Sequence, residues 1–152
     1  MPMTMLNKEL LAVAISVAAG CRPCTTYHLA KVREAGASEE AIENVVTSAI
    51  YVRTSATEGM HRHALGLEPE QKGCGCASPQ PVEELIALGA SLAVNCAENV
   101  ARHLAAAKAL NVPQEELDEV FALAKFIRAQ AVKHTEMQFG TTAPTTMENC
   151  CC

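Results

Sequence analysis

Apolar positions recur along the chain with helical spacing, and Gly, Asn and Pro punctuate the stretches between them, a pattern of helices joined by short turns. The first stretch, rich in Ala and Leu, predicts a helix over Asn7 to Ala19 that Gly20 interrupts. Pro23 suits the first turn of a second helix, which runs to Ala35 and stops before Gly36. Ser38 then caps a third, with Glu39 and Glu40 set against the positive end of its dipole. Ile42, Val45, Val46, Ala49 and Ile50 follow the i, i+3, i+4, i+7 rule and are expected to face the core. Further on, Pro81 opens a fourth helix, a fifth spans about Ala97 to Leu110, and Pro113 opens a sixth with Leu117, Val120, Phe121 and Ala124 as its apolar stripe. Gly66 to Gln80, which holds Pro69, Gly73, Gly75 and Pro79, reads as a loop, and the Thr/Pro-rich run after Gly140 as a flexible tail.

The pattern occurs twice. Shifting the chain against itself by 75 residues lays Glu9 to Val46 on Glu84 to Phe121 without a gap, with 11 of 38 positions identical. The identities include Glu9/Glu84, Ser16/Ser91, Cys21/Cys96, His28/His103 and Leu29/Leu104, and beyond the window Arg53 falls on Arg128. Gly36 falls on Asn111, and these are the residue types that best tolerate the left-handed conformation closing a helix. The expected fold is therefore all-α, a duplicated three-helix repeat in a single domain over residues 1–140. Repeat one covers about 5–66, a loop 67–80 and repeat two 81–140, with the cysteine-rich tail at 141–152. The length of 152 residues suits one core.

Composition agrees with helices: 49% of residues are hydrophobic, only 3% are aromatic, and there is no Trp. A net charge of −5, without a basic run, gives a nucleic-acid surface nothing to stand on. Leu10 to Gly20, ending at Cys21, superficially resembles a bacterial lipoprotein processing site. It is about half the ~20 apolar residues of a spanning helix. Glu9 cancels Lys8 beside it, and an equivalent stretch recurs in mid-chain, so neither membrane insertion nor export is expected and the cytoplasm is the expected compartment. Apolar helix faces in excess of what three-helix repeats bury internally point to a homo-oligomer.

The eight cysteines change the picture most. Cys21 and Cys24 form a Cys-x-x-Cys, Cys74 and Cys76 flank a glycine, Cys96 stands alone, and Cys150, Cys151 and Cys152 end the chain. In a helix-rich chain this distribution favours redox or soft-metal chemistry over a secreted disulfide scaffold. On the first turn of a helix, Cys21-Arg22-Pro23-Cys24 meets backbone N–H groups and the positive dipole end, which favour thiolate over thiol. His28 lies four residues after Cys24, on the same helix face, and can exchange a proton with it. If the first two helices form an antiparallel hairpin, Glu9, ~15 Å back from the turn, descends past His28, which is ~8 Å along the second helix. Glu9 would then orient and polarise His28.

The pattern Glu-x11-Cys-x2-Cys-x3-His, written by Glu9, Cys21, Cys24 and His28 on a duplicated helical scaffold, resembles the AhpD-like branch of the carboxymuconolactone decarboxylase superfamily over roughly residues 5 to 140. The resemblance implies an AhpD-like helical bundle and a thiol-dependent alkylhydroperoxidase or disulfide reductase. It implies that Cys24 is the buried thiolate that attacks peroxide, and that Cys21 is the more exposed partner that closes the disulfide and exchanges with an outside dithiol. Glu9 and His28 would form the proton relay. No cofactor is required beyond a thiol reductant, either a protein or a lipoamide-like dithiol, and a trimer of two-repeat chains is the first expectation. Pro23 stands where peroxidase members can carry a His.

The second repeat keeps Glu84, Cys96 and His103 but has Asn99 in place of Cys24, so one redox site per chain is expected. Cys96 then reads as a small buried residue, and Glu84/His103 as a structural pair holding two helices together. Arg53 and Arg128 interrupt apolar stripes and read as partners in interior or interface ion pairs. His61 and His63, two apart on a helix, point apart and do not suggest a metal site. Cys74, Cys76, Cys150, Cys151 and Cys152 lie outside the repeated core, and as thiols on loops they suit soft ions such as copper(I), zinc or arsenic(III), or a relay of electrons to Cys21. A thiol-rich metal- or metalloid-binding protein on the same scaffold is therefore the alternative reading. A lactone decarboxylase, which needs no cysteine pair, is the third.

Overall fold

The computed structural model describes residues 3–67 and 78–140. Cys74, Cys76 and the three terminal cysteines lie outside these residues. Among the described residues there are six helices and no strand: α1 (Met5–Ala18), α2 (Arg22–Glu34), α3 (Glu39–Ala64), α4 (Pro81–Ala93), α5 (Ala97–Ala109) and α6 (Gln114–Phe139). The helices α5 and α6 reproduce the bounds of α2 and α3 at the 75-residue offset seen in the sequence.

Local signals account for the boundaries. Thr4 and Ser38 accept the N–H groups of Asn7 and Ala41 and so cap α1 and α3. Each short helix ends in a Schellman turn, in which a residue with positive φ lets two N–H groups reach back to otherwise unpaired carbonyls. In the first repeat these residues are Gly20 (φ 71°) and Gly36 (φ 91°), and in the second Asn95 (φ 57°) and Asn111 (φ 59°). After Gly36 the turn into α3 is tied by two bonds from Arg33 to the Glu39 carboxylate, 2.8 and 3.1 Å, which hold that carboxyl below its ordinary titration range.

Helices α1 and α4 are the central pair. Each packs against the other, against the next helix of its own repeat, and against both long helices α3 and α6. Burial follows from that position: Leu11, Val13, Ala14 and Ile15 of α1 and Leu85, Ala87, Leu88 and Ala90 of α4 are 3% exposed or less. The buried side chains form one cluster drawn from both repeats. The long helices contribute a narrow stripe each, Ile42, Val45, Ala49 and Val52 from α3 and Leu117, Val120, Ala124 and Ile127 from α6. Two sequence expectations fail here. Ile50 is 46% exposed and Phe121 56%, because the stripe that meets the central pair is only one residue wide and both lie on its flank.

Gly89 marks the closest approach of the central pair, since a Cβ built there lies 2.6 Å from Leu11 Cδ1 and 3.0 Å from Ile15 Cγ1. Both neighbours are buried, so a larger side chain at this position must displace packed atoms. Helix propensity favours Val over Gly, but overpacking a closed core costs about 1–3 kcal/mol. Gly89→Val is expected to lower the urea-unfolding free energy by that amount, against no loss for Gly59→Ala, whose Cβ meets nothing within 4 Å.

Candidate functional site

The chain passes from α1 to α2 through Gly20 and Cys21. The N–H of Cys21 reaches back to the Ser16 carbonyl, 3.1 Å, and closes the Schellman turn of α1. The Sγ of the same residue accepts the N–H of Cys24, 3.2 Å, and so caps α2. Cys21 thus ends one helix and begins the next, and its sulfur lies at the positive end of the second dipole. Cys24, one turn on, is disulfide-bonded to it, with the Cα atoms 5.3 Å apart. On the outer side of the link Arg53 donates from Nη1 to the Ala18 carbonyl, 2.9 Å. A Cβ at position 20 would stand 2.7 Å from that nitrogen. Glycine there serves both the positive φ and the passage of the guanidinium.

Glu9 and His28 meet as the hairpin geometry requires. His28 Nδ1 lies 3.1 Å from Glu9 Oε2, with the two side chains only 13% and 20% exposed. The ring of Tyr27 stands edge-on to the imidazole at 5.0 Å between centroids and limits its swing. With Nδ1 held by a carboxylate, Nε2 is the atom left to exchange protons. Glu9 and His28 also line an open groove of about 360 Å³ whose other walls include Leu11, Ala12, Ala122 and Leu123. The two sulfurs lie outside its lining.

Two expectations about the cysteines are corrected. Cys21 is not the more exposed of the pair, at 5% against 7% for Cys24, because its side chain folds back over the first turn of α2 as the cap. Cys96 stands at the N-cap position of α5 with backbone angles matching those of Cys21 but makes no side-chain cap bond, and it is a partly exposed free thiol rather than a buried filler. Among the described residues neither Arg53 nor Arg128 has an ion-pair partner within the chain; Arg53 binds the α1 carbonyl end, and Arg128 lines a recess beside Phe121 and Val132.

One residue at the site escaped the sequence reading. His134, near the end of α6, brings an imidazole nitrogen to the disulfide, and the two sulfurs and this nitrogen all lie within 4.8 Å of one another. It is the group among the described residues arranged to hold a metal ion; His61 and His63 join no such cluster. A signal was present, since the α6 stripe Leu117, Val120, Ala124 and Ile127 continues at the same spacing through Ala131 to position 134. A histidine ending an apolar stripe faces inward. At the 75-residue offset the counterpart of His134 is Gly59, which has no side chain, and a Cβ built there meets nothing within 4 Å.

The second repeat holds the same carboxylate–imidazole pair in a different setting. His103 Nδ1 is 2.7 Å from Glu84 Oε2, both side chains are 1% exposed, and Oε1 of Glu84 accepts the Ser78 N–H at 2.7 Å. Asn99, in place of Cys24, donates to Ser55 of α3, 3.3 Å.

A disulfide within one helical turn, backed by a carboxylate-held imidazole in a duplicated helical bundle, fits a redox role. The model of the carboxymuconolactone decarboxylase family matches residues 5–62 and 79–135, one segment for each repeat, and the chain belongs to that family. No curated protein and no solved structure matches it. Among the described residues no helix is long and apolar enough to cross a membrane.

The two Glu–His pairs separate stability from chemistry. Removing one partner of a buried pair strands the other and costs about 3–5 kcal/mol. Glu84→Ala is expected to lower the unfolding free energy by that much in urea titrations, and Glu9→Ala by markedly less, because water reaches the stranded His28.

Proposed function

We propose that the chain is a dithiol–disulfide oxidoreductase of the alkylhydroperoxidase type, in which Cys21 and Cys24 reduce a hydroperoxide and are recharged by an external dithiol. The observation that carries this reading is the Cys21–Cys24 disulfide at the α2 N-terminus, and the Glu9–His28 pair, one turn further along α2, supports it. Family membership supports it as a class.

The atoms balance as follows. Cys24 gives its proton to His28, one turn away on the same face, and attacks the terminal peroxide oxygen. The O–O bond breaks, and the alcohol leaves with a proton returned by the imidazolium, whose charge Glu9 offsets. Cys21, kept toward the thiolate by the cap N–H, then attacks the sulfenic sulfur of Cys24, and hydroxide leaves as water by taking a proton. The sum is two thiols and one hydroperoxide to one disulfide, one alcohol and one water. A reducing dithiol, lipoamide-like or on a protein, reverses the disulfide by exchange. The groove that His28 lines has Lys8 and Glu119 in its wall, and its apolar part, Leu11, Ala12, Ala122 and Leu123, supports an alkyl substituent on the substrate.

Exposed large apolar side chains on the long helices, among them Tyr51, Phe121, Phe126 and Val132, support a homo-oligomer, with a trimer as the reading to test. The cytoplasm is the compartment in which this cycle finds its thiol reductants. The five cysteines outside the described residues leave a soft-metal or metalloid-binding role as the second reading of the chain.

The test starts from fully reduced protein given one equivalent of an organic hydroperoxide, with disulfides mapped by peptide mass spectrometry. A Cys21–Cys24 bond is expected within the first turnover, and Cys24→Ser abolishes it. His28→Ala is expected to slow its formation by about 10²-fold or more, the usual contribution of a positioned acid–base group. If Cys21 and Cys24 stay reduced while other thiols react, the peroxidase reading falls.

A further inference from the structure

We propose that the reduced form of this site is a metal site, in which Cys21, Cys24 and His134 bind one thiophilic divalent cation of the zinc type and thereby hold the dithiol out of its redox cycle. The inference does not depend on which oxidant closes the disulfide, only on the pair being reducible.

Geometry is the first ground. The ligand atoms Sγ, Sγ and imidazole nitrogen already converge within 4.8 Å of one another. A tetrahedral ion with bonds of about 2.3 Å to sulfur and about 2.0 Å to nitrogen holds such atoms slightly under 4 Å apart. Opening the disulfide lets the sulfurs part to that separation, and the two-residue spacing of Cys21 and Cys24 is one that zinc sites use. The surroundings also suit it, since both cysteines are nearly buried and the cap N–H of Cys24 favours a thiolate at Cys21.

An internal comparison is the second ground. The two repeats share their turns, the backbone angles at the cysteine that opens α2 and α5, and their Glu–His pairs, so features that differ between them point to what the dithiol needs. Both remaining ligands are missing together at the matching place, where Asn99 stands for Cys24 and Gly59 for His134. The histidine comes from the repeat that lacks the dithiol and lies across the repeat that has it. Neither repeat alone holds the three ligands.

The chemistry balances with one named co-reactant. An external dithiol gives two electrons to the Cys21–Cys24 disulfide and becomes a disulfide itself. The cation then replaces the two thiol protons, which go to solvent, and takes the neutral His134 nitrogen as third donor. Water or an exogenous thiol completes four-coordination. With both sulfurs bound, each shares its negative charge with the cation and is a weaker nucleophile toward a hydroperoxide until the metal leaves.

Cobalt(II) is the probe, because its bonds to thiolates give near-ultraviolet charge-transfer absorption and a tetrahedral site gives intense visible bands. The full chain is used, with Cys74, Cys76, Cys150, Cys151 and Cys152 changed to Ser, reduced, and freed of reductant without air. One equivalent of cobalt is expected to produce both sets of bands, zinc to bleach them, and the disulfide form to give none. Cys24→Ser is expected to remove the charge-transfer band, and His134→Gln to weaken affinity roughly tenfold or more, the scale on which metal sites respond even to lost supporting contacts. His134→Cys provides the rescue: affinity returns, and the charge-transfer intensity rises by about half as three thiolates replace two. Far-ultraviolet circular dichroism checks that each variant is folded. The proposal is overturned if the reduced chain gives no charge-transfer band, if the band survives in Cys24→Ser, or if the affinity is indifferent to His134→Gln while His134→Cys adds no intensity.

Discussion

The site depends on a single constraint, the three-residue link between α1 and α2, Ala19 to Cys21. A Schellman turn needs a residue of positive φ followed by one whose N–H reaches the carbonyl five residues back in the helix. A helix start needs an extended residue with a side-chain acceptor. Gly20 and Cys21 meet all of these demands without a spacer, and the second repeat meets the backbone ones with Asn95 and Cys96. Because the link is so short, α1 and α2 lie against each other from the turn onward. That brings Glu9 to His28 and turns the sulfur of Cys21 over the first turn of α2. A longer loop would have freed both relations.

The same carboxylate–imidazole pair performs two physical tasks in one chain. Buried between helices, Glu84 is held by His103 and by the Ser78 N–H, and the pair acts as a strut. At the edge of a groove, Glu9 and His28 remain partly wetted, and proton exchange with the surroundings is open to them. The difference is one of burial rather than of residue type, which is why the two were indistinguishable as letters and distinct as structure.

Much of this was legible in the sequence. The 75-residue offset predicted helix boundaries that recur to the residue in α2/α5 and α3/α6, because turn chemistry repeats along with the apolar stripe. The contact between Glu9 and His28 followed from helix rise and one assumption, the hairpin. What failed was burial at the margins. Ile50 and Phe121 have the right spacing and lie beside the stripe, and spacing alone does not give the width of the face that a neighbour covers. His134 was missed because it belongs to a different repeat from the residues it meets. Its position is a matter of packing between repeats, which no local pattern encodes, although the stripe running on to it was a hint.

The placement of α6 has a further meaning for how such a chain can diverge. Two identical copies related by a twofold axis would build two identical composite sites, since each copy lends its last helix to the other. Any substitution that improved one site would strike both. Joining the copies in one chain removes that bond: Gly59 and His134, or Cys24 and Asn99, can change separately while the shared core keeps the symmetric arrangement. Covalent linkage here is a release from symmetry, with one half free to carry chemistry because the other is free to give it up.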